Sequence, residues 1–347
     1  MVNVGIVGIG FMGMIHYLSY QKVRGAKVRA ICEKIPERLA GDWRSIKGNF
    51  GPQGKKMDLT GIARYSDLDE LLADPNLDMI DVCLPPSMHA EVAVKALAAG
   101  KHVLCEKPIA LKVADAERMV KAARRAGKLL LIGQVLPFFP EYRFAYKTIT
   151  SGKYGELIGG HFKRVISDPL WLPDFYDPDG CGGPMVDLHV HDAHFIRLIC
   201  GMPRAVQSVG RMRGEVAEFF STQFLFDDPS LVVTATSGVI NQQGRGFTNA
   251  YEIYLERATL LFDFAPVDKE PGLIMPVTVL TNAGKVIRPK LGSGDPTDAF
   301  AAELEEAVRS VRNQTPSSLL DGDLARDALI LCNKQTQSIV RKRQVKV

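Results

Sequence analysis

Residues 2–14, VNVGIVGIGFMGM, open on an apolar run from Val2 to Val7 and pass at once into Gly8, Gly10 and Gly13. The run reads as a β-strand. Three glycines in GxGxxG spacing, directly after a strand and at the start of a helical pattern, form the turn by which a Rossmann unit receives a dinucleotide. Gly8 permits the tight turn, Gly10 lets the backbone approach a pyrophosphate, and Gly13 lets helix pack on strand, while the helix N-terminus favours the anion. Phe11 and Met12 fill the variable places of the motif and share its cofactor contact. The second apolar run, Val28 to Cys32, ends beside Glu33, an acidic residue about 20 positions beyond the motif and so placed for the adenosine ribose hydroxyls. Glu33 argues for NAD. Lys34 is a ready partner for the 2′-phosphate of NADP, or an exposed charge at a helix entry, so NADP stays open as the alternative.

Outward from this stretch, apolar runs at Met79 to Leu84, His102 to Leu104 and Leu129 to Val135 alternate with helical patterns at Met14 to Val23, Pro36 to Ile46, Asp67 to Ala73, His89 to Ala99 and Ala114 to Ala126. Such a series predicts parallel strands with helices between them. Residues 1–135 are therefore expected to form an α/β Rossmann domain. After Pro140 the pattern changes: one helix, Glu141 to Ser151, then strand-like segments at Leu157 to Ser167, Ala205 to Arg213, Phe219 to Phe226, Leu231 to Val239 and Ala250 to Phe264. Strands without intervening helices predict an antiparallel sheet. Helical patterns at Pro184 to Cys200, Asp298 to Arg312 and Asp321 to Arg341 complete an α+β domain over 136–347, its C-terminal helices free to pack back on the first domain. The glycine- and lysine-rich stretch Lys47 to Lys56 reads as a surface loop without a special role, and the basic stretch Arg341 to Lys346 as a solvated tail.

The chain's 347 residues, 46% hydrophobic, suffice for two cores. A net charge of +4, from 43 basic and 39 acidic residues spread along the chain, offers no basic stripe for nucleic acid. No window approaches the roughly 18 apolar residues of a membrane span, and no export signal precedes Val2. A soluble, cytoplasmic protein with no membrane partner is expected. The cysteines, Cys32, Cys83, Cys105, Cys181, Cys200 and Cys332, lack metal-ligand spacing and read as reduced thiols.

Two segments carry the chemistry. Cys105-Glu106-Lys107-Pro108 follows a parallel strand at the carboxyl edge where α/β ligands bind. Proline biases Lys107 towards an extended conformation, and an X-Pro bond is open to the cis form. Glu106 and Lys107 read equally as a site or as a surface pair. The segment GGPMVDLHVHDAH, 182–194, is densest in titratable groups: Asp187, His191 and His194 fall at i, i+4 and i+7, one face of a helix. Hydride removal from an alcohol carbon requires loss of the hydroxyl proton, which a histidine can accept. The same spacing would suit zinc, but no ligand from another segment is evident, so no metal is expected. His189 and His194 are also open to purely structural roles.

These stretches resemble the Gfo/Idh/MocA family, named for glucose-fructose oxidoreductase, inositol dehydrogenase and a rhizopine-catabolism protein. The likeness rests on VGIGFMG, on Pro85 and His89 in CLPPSMHAE, on AGKHVLCEKP from Ala99 to Pro108, on GQVLPFFPEY from Gly133, and on GGPMVDLHVHD. It spans essentially the whole chain. The resemblance implies an open, mostly antiparallel sheet in the second domain, an active site in the cleft between the domains, and association as homodimers or homotetramers. It further implies that Pro85, His89, Glu106 and Lys107 border the cofactor, that Lys107 contacts the reacting hydroxyl, and that Asp187 and His191 fill the family's Asp-xxx-His positions with His191 as acid/base. Arg164 matches a position that often lines the substrate pocket. The chain departs from many relatives in having Pro137 where they have arginine and His194 where they have aspartate. Trp171 and Tyr176 are candidates to stack on a sugar ring or to cover the core.

The function expected is NAD(P)-dependent interconversion of a secondary hydroxyl and a ketone on a cyclic polyol or sugar. The alternatives are a glycosidase working by transient oxidation and elimination on bound NAD, and a nonenzymatic dinucleotide-binding redox sensor. Intact Lys107, Asp187 and His191 argue against the sensor.

Overall fold

A computed structural model describes residues 1–268, 270, 272–292 and 295–347. The chain divides into two compact units, Met1–Phe138 with Gly294–Arg326, and Phe139–Ser293 with Asp327–Val347.

The first unit alternates β1 (Val2–Val7), α1 (Phe11–Tyr20), β2 (Ala26–Cys32), α2 (Pro36–Leu39), β3 (Ala63–Tyr65), α3 (Leu68–Leu72), β4 (Met79–Val82), α4 (Pro86–Ala98), β5 (His102–Glu106), α5 (Val113–Ala126) and β6 (Leu130–Gly133). Its strands form one parallel sheet in the order β3-β2-β1-β4-β5-β6. The order reverses between β1 and β4, the point where such sheets bind ligands at the carboxyl ends of their strands. β4, β5 and β6 are buried throughout, as expected of strands covered on both faces.

The second unit begins with α6 (Pro140–Thr150) and β7 (Leu157–Ser167), then α7 (Val190–Cys200). β8 (Ala205–Arg213), β9 (Val216–Leu225), β10 (Val232–Ile240), β11 (Thr248–Leu255), β12 (Ala258–Phe264), β13 (Leu273–Thr281) and β14 (Val286–Ile287) follow. α8 (Pro296–Asn313) belongs to the first unit, where it packs along α1. The division then falls inside α9 (Gly322–Arg341), and β15 (Val345–Lys346) ends the chain in the second unit. The nine-stranded sheet runs β14-β13-β12-β11-β7-β10-β9-β8-β15 and is antiparallel except where β10 pairs with β7.

Several expectations are corrected. The helix foreseen over Pro36 to Ile46 stops at Leu39, because the chain turns at Gly41, whose φ is +91°. The run Ala250 to Phe264 is two strands, β11 and β12, joined through Glu256 and Arg257, a turn without the glycine or asparagine that marks hairpins. The basic end is not a loose tail: Val345 and Lys346 add an edge strand beside β8, and Val345 is buried. Lys47 to Lys56 is the exposed loop expected, with side-chain packing at its base and at Phe50. Trp43 plugs its base, fully buried with its ring 4.9 Å from that of Tyr17, while Phe50 lies 4.8 Å from Phe11 and stacks at 5.3 Å on Phe300 of α8.

Candidate functional site

The glycine turn has the shape its sequence demands. Gly8 has φ +90°, and a Cβ there would stand 2.7 Å from the Cys83 carbonyl oxygen; at Gly13 it would stand 2.0 Å from that of Gly8. Any larger residue at Gly13 would drive helix from strand. Beside Gly10 the space is open, with no atom within 4 Å of a built Cβ. Gly10 caps α1 without a side-chain hydrogen bond, so the first N–H groups of this ten-residue helix face outward as an anion site requires. The arrangement fits a dinucleotide pyrophosphate.

Glu33 is fixed on this turn. One carboxylate oxygen accepts the Ile9 N–H at 2.7 Å and the other the Ile35 N–H at 2.9 Å. Each oxygen keeps a lone pair for a ribose hydroxyl. Lys34 is exposed. Sequence reasoning passed over Arg38, whose Nη1 lies 3.4 Å from the Ile9 carbonyl oxygen.

Lys107 follows β5, half-buried, with a cis peptide bond to Pro108. Its N–H donates to a Glu106 carboxylate oxygen at 3.0 Å. Pro85 caps α4, and His89 is fully buried with its ring nitrogens 2.8 Å from the carbonyl oxygens of Pro108 and Leu84. Burial lowers the His89 pKa. A neutral ring has a single N–H and donates to only one of these carbonyls, while the ring itself stands between the loop after β4 and the loop after β5.

Behind Glu106 lies a cluster absent from the sequence-based expectations. His16 of α1 is fully buried, with Nδ1 2.9 Å from an Asp81 carboxylate oxygen of β4 and Nε2 3.0 Å from Glu106 Oε1. The second contact has the distance of an ion pair without the alignment of a hydrogen bond. Burial opposes charge on His16, but its interactions with Asp81 and then Cys83 together outweigh it and hold the pKa well above its ordinary value. Among the described residues, His16, Asp81 and Cys83 also bring ligating atoms within 4.8 Å of one another. A tetrahedral zinc with bonds of about 2.1 Å would hold its ligand atoms about 3.4 Å apart, whereas the 2.9 Å His16–Asp81 contact is a hydrogen-bond distance. The trio is thus closed upon a proton. An aspartate within the apolar run Met79 to Leu84 was the visible sign of a buried partner.

Glu303 of α8 completes the cluster, fully buried, neither carboxyl oxygen having a hydrogen-bond partner. Burial first, and the charge of Glu106 second, push its carboxyl well above the usual carboxylate range, so it folds as the neutral acid. The unfolded chain releases this proton near the ordinary value of 4.5, while the folded protein keeps it. Stability is therefore fully present below that pH and falls as pH rises towards the folded pKa, at about 1.4 kcal/mol per unit. Glu303→Gln removes this loss. The variant should exceed wild type in thermal midpoint by a margin that widens as pH rises above 4.5; a margin independent of pH would show that Glu303 titrates alike in both states.

In the second unit the segment from 182 to 194 is not one uniform helix. Pro184–Leu188 forms a π-turn, with the His189 N–H donating to the Pro184 carbonyl at 2.8 Å, and α7 starts only at Val190. Such turns recur at functional sites. Asp187 and His191 remain half-buried, while His189, Asp192 and His194 are fully buried. His194 therefore does not share the accessibility that its i+7 spacing implied. His189 holds Ser237 Oγ at 2.8 Å, and burial pushes its pKa down to about 4.

Arg164 lies on β7 at 6% exposure, its Nε and Nη2 donating to the two Asp192 carboxylate oxygens at 2.6 and 3.1 Å. Tyr176 is also engaged: its hydroxyl donates to Asp168 at 2.9 Å and Arg213 stands 3.9 Å over its ring. Trp171 is 64% exposed.

Comparison with known proteins adds a lineage to this geometry. Residues 2–134 match a Gfo/Idh/MocA profile described as an oxidoreductase family with an NAD-binding Rossmann fold, and residues 142–261 match the Gfo/Idh/MocA C-terminal domain. The myo-inositol 2-dehydrogenase of Thermotoga maritima is 26% identical over 100% of this chain and 98% of its own. An inositol 2-dehydrogenase of Salmonella paratyphi B is 26% identical over 74% of this chain and 70% of its own. In fold, the chain is similar to a levoglucosan dehydrogenase solved in complex with NADH, with a TM-score of 0.81 at 20% identity over 100% of this chain and 99% of the other.

Proposed function

This chain belongs to the Gfo/Idh/MocA oxidoreductase family, and on that premise we propose that it interconverts a secondary hydroxyl and a ketone on a cyclic polyol or sugar, with NAD as cofactor. One observation carries the reading: of the titratable side chains from Asp187 to His194, only Asp187 and His191 are left accessible. The inositol dehydrogenases among its relatives support the polyol class.

Each residue's part follows from its donors and acceptors. The Lys107 ammonium has only donors, so it holds and polarises the hydroxyl oxygen. The Asp187 carboxylate has only acceptors and orients its neighbour. His191 in its neutral form can accept the hydroxyl proton and return it in the reverse direction. When bound, NAD supplies the acceptor for the hydride that leaves the carbon. Gly8, Gly10, Phe11, Met12 and Gly13 hold its pyrophosphate; Glu33 holds the ribose and favours NAD over NADP. Pro85 and Glu106 shape the loops beside it, and His89 braces them. Trp171 offers an apolar face to a sugar ring, whereas Arg164, taken up by Asp192, serves the fold. Exposed Ile158, Val232, Leu273, Ile274 and Leu280 are apolar surface that association into a homodimer or homotetramer would cover.

The test is a panel of inositols, sugars and sugar acids offered with NAD⁺ and NADP⁺. Net formation of NADH with at least one polyol or sugar is expected, with NADP⁺ the poorer oxidant. Product released from a glycoside without net reduction would replace this reading with the elimination mechanism.

A further inference from the structure

The cluster behind Glu106 has a consequence for catalysis that rests on the role given to Lys107. We propose that His16 is a positioning residue for the reaction, setting the place of Lys107 through Glu106.

The geometry is a chain of short contacts across the carboxyl ends of two adjacent strands. Asp81 lies on β4 and Glu106 closes β5, and the register pairs Asp81 with Leu104 and Val82 with Cys105. His16, reaching in from α1, has one nitrogen at each carboxylate, 2.9 Å from Asp81 and 3.0 Å from Glu106. The remaining Glu106 oxygen accepts the N–H of Lys107 at 3.0 Å. On its other side the same loop sets its Pro108 carbonyl 2.8 Å from a nitrogen of the buried His89 ring. Lys107 thus stands between two anchors, a neutral one at Pro108 and a charged one at Glu106.

The charged anchor exists only while His16 keeps its proton. The groups facing it are Asp81 and Cys83 from the β4 side, Cys105 and Glu106 of β5, Tyr20 from its own helix, and Glu303 of α8. Burial raises the pKa values of Tyr20, Cys83, Cys105 and Glu303, so these groups stay neutral. One buried cation then faces the carboxylates of Asp81 and Glu106. Without its charge, two buried carboxylates would stand uncompensated behind the loop, and Glu106 would be drawn towards solvent, carrying the Lys107 backbone with it. A shift of about 1 Å in a group that contacts the reacting oxygen is enough to cost about 100-fold in rate.

The experiment compares His16→Gln, Glu106→Gln, Lys107→Ala and the double variant His16→Gln/Lys107→Ala in the full-length protein. It measures kcat per NADH-binding site, KM for the polyol, the Kd of NADH and thermal midpoints. His16→Gln is expected to lower kcat about 10- to 100-fold with NADH affinity held within about threefold. In the Lys107→Ala background it should cost almost nothing further, which a merely structural role would not produce. Glu106→Gln, which leaves the His16–Asp81 contact intact, should reproduce the kcat loss, and it carries the test if His16→Gln does not fold. A folded, NADH-binding His16→Gln or Glu106→Gln protein with kcat within twofold of wild type overturns the proposal. So does a His16→Gln loss that multiplies fully with that of Lys107→Ala. Near-normal kcat in Lys107→Ala itself would instead overturn the role of Lys107, which separates the two failures.

Discussion

His191→Ala is expected to lower kcat by about 10² to 10⁴ while leaving the Kd of NADH nearly unchanged. Removing the hydroxyl proton is a separate task from holding the cofactor, and His191 lies in the second unit whereas the glycine turn and Glu33 lie in the first. Asp187→Asn should be milder, because an amide oxygen still accepts a hydrogen bond. His194→Ala provides the contrast. That ring is fully buried, so its loss should appear in the thermal midpoint before it appears in kcat. Steady-state kinetics and fluorescence titration of NADH on the three variants check the set, and a His191→Ala enzyme with near-normal kcat would remove it as the base.

The second large effect concerns stability. Arg164 and Asp192 are both nearly or fully buried and share two hydrogen bonds. Burial alone would lower the Arg164 pKa, and the interactions with Asp192 and Tyr142 together more than offset it, leaving the guanidinium's pKa raised. Asp192→Ala strands that cation in the core, and breaking such a pair from one side costs about 3–5 kcal/mol, a large part of a typical domain's net stability. Replacing both residues with apolar ones of similar volume should recover most of the loss. Urea unfolding of the single and double variants decides it: equal losses in both would mean that packing, and not the stranded charge, sets the cost.

What the sequence made legible follows a physical division. The parallel sheet was visible because its strands are apolar runs punctuated by glycines whose places are sterically compelled, as Gly8 and Gly13 are. Lys107, Asp187 and His191 could be put forward from the sequence, because chemistry restricts which side chains can serve, and their roles stand as the proposal made above. The π-turn at Pro184–Leu188 was not, since a change from α to π winding alters hydrogen bonding without altering composition. Nor was the pairing of Arg164 with Asp192, because the same guanidinium suits a substrate pocket and a buried ion pair. His16, Asp81 and Glu303 come from segments far apart in sequence, and no local pattern announces that they will meet.

The return of Gly294–Arg326 to the unit formed by Met1–Phe138 has a meaning for how the molecule is made. A chain emerging from the ribosome presents all six strands of the parallel sheet early, but α8, which covers α1 and supplies Phe300 to Phe50 and Glu303 to the buried cluster, is translated last but one among its helices. At about 5–20 residues per second, the nascent sheet waits roughly ten to forty seconds with one flank of α1 bare. The unit that starts first finishes late, since the face of α1 that α8 covers is closed only when that helix has been made.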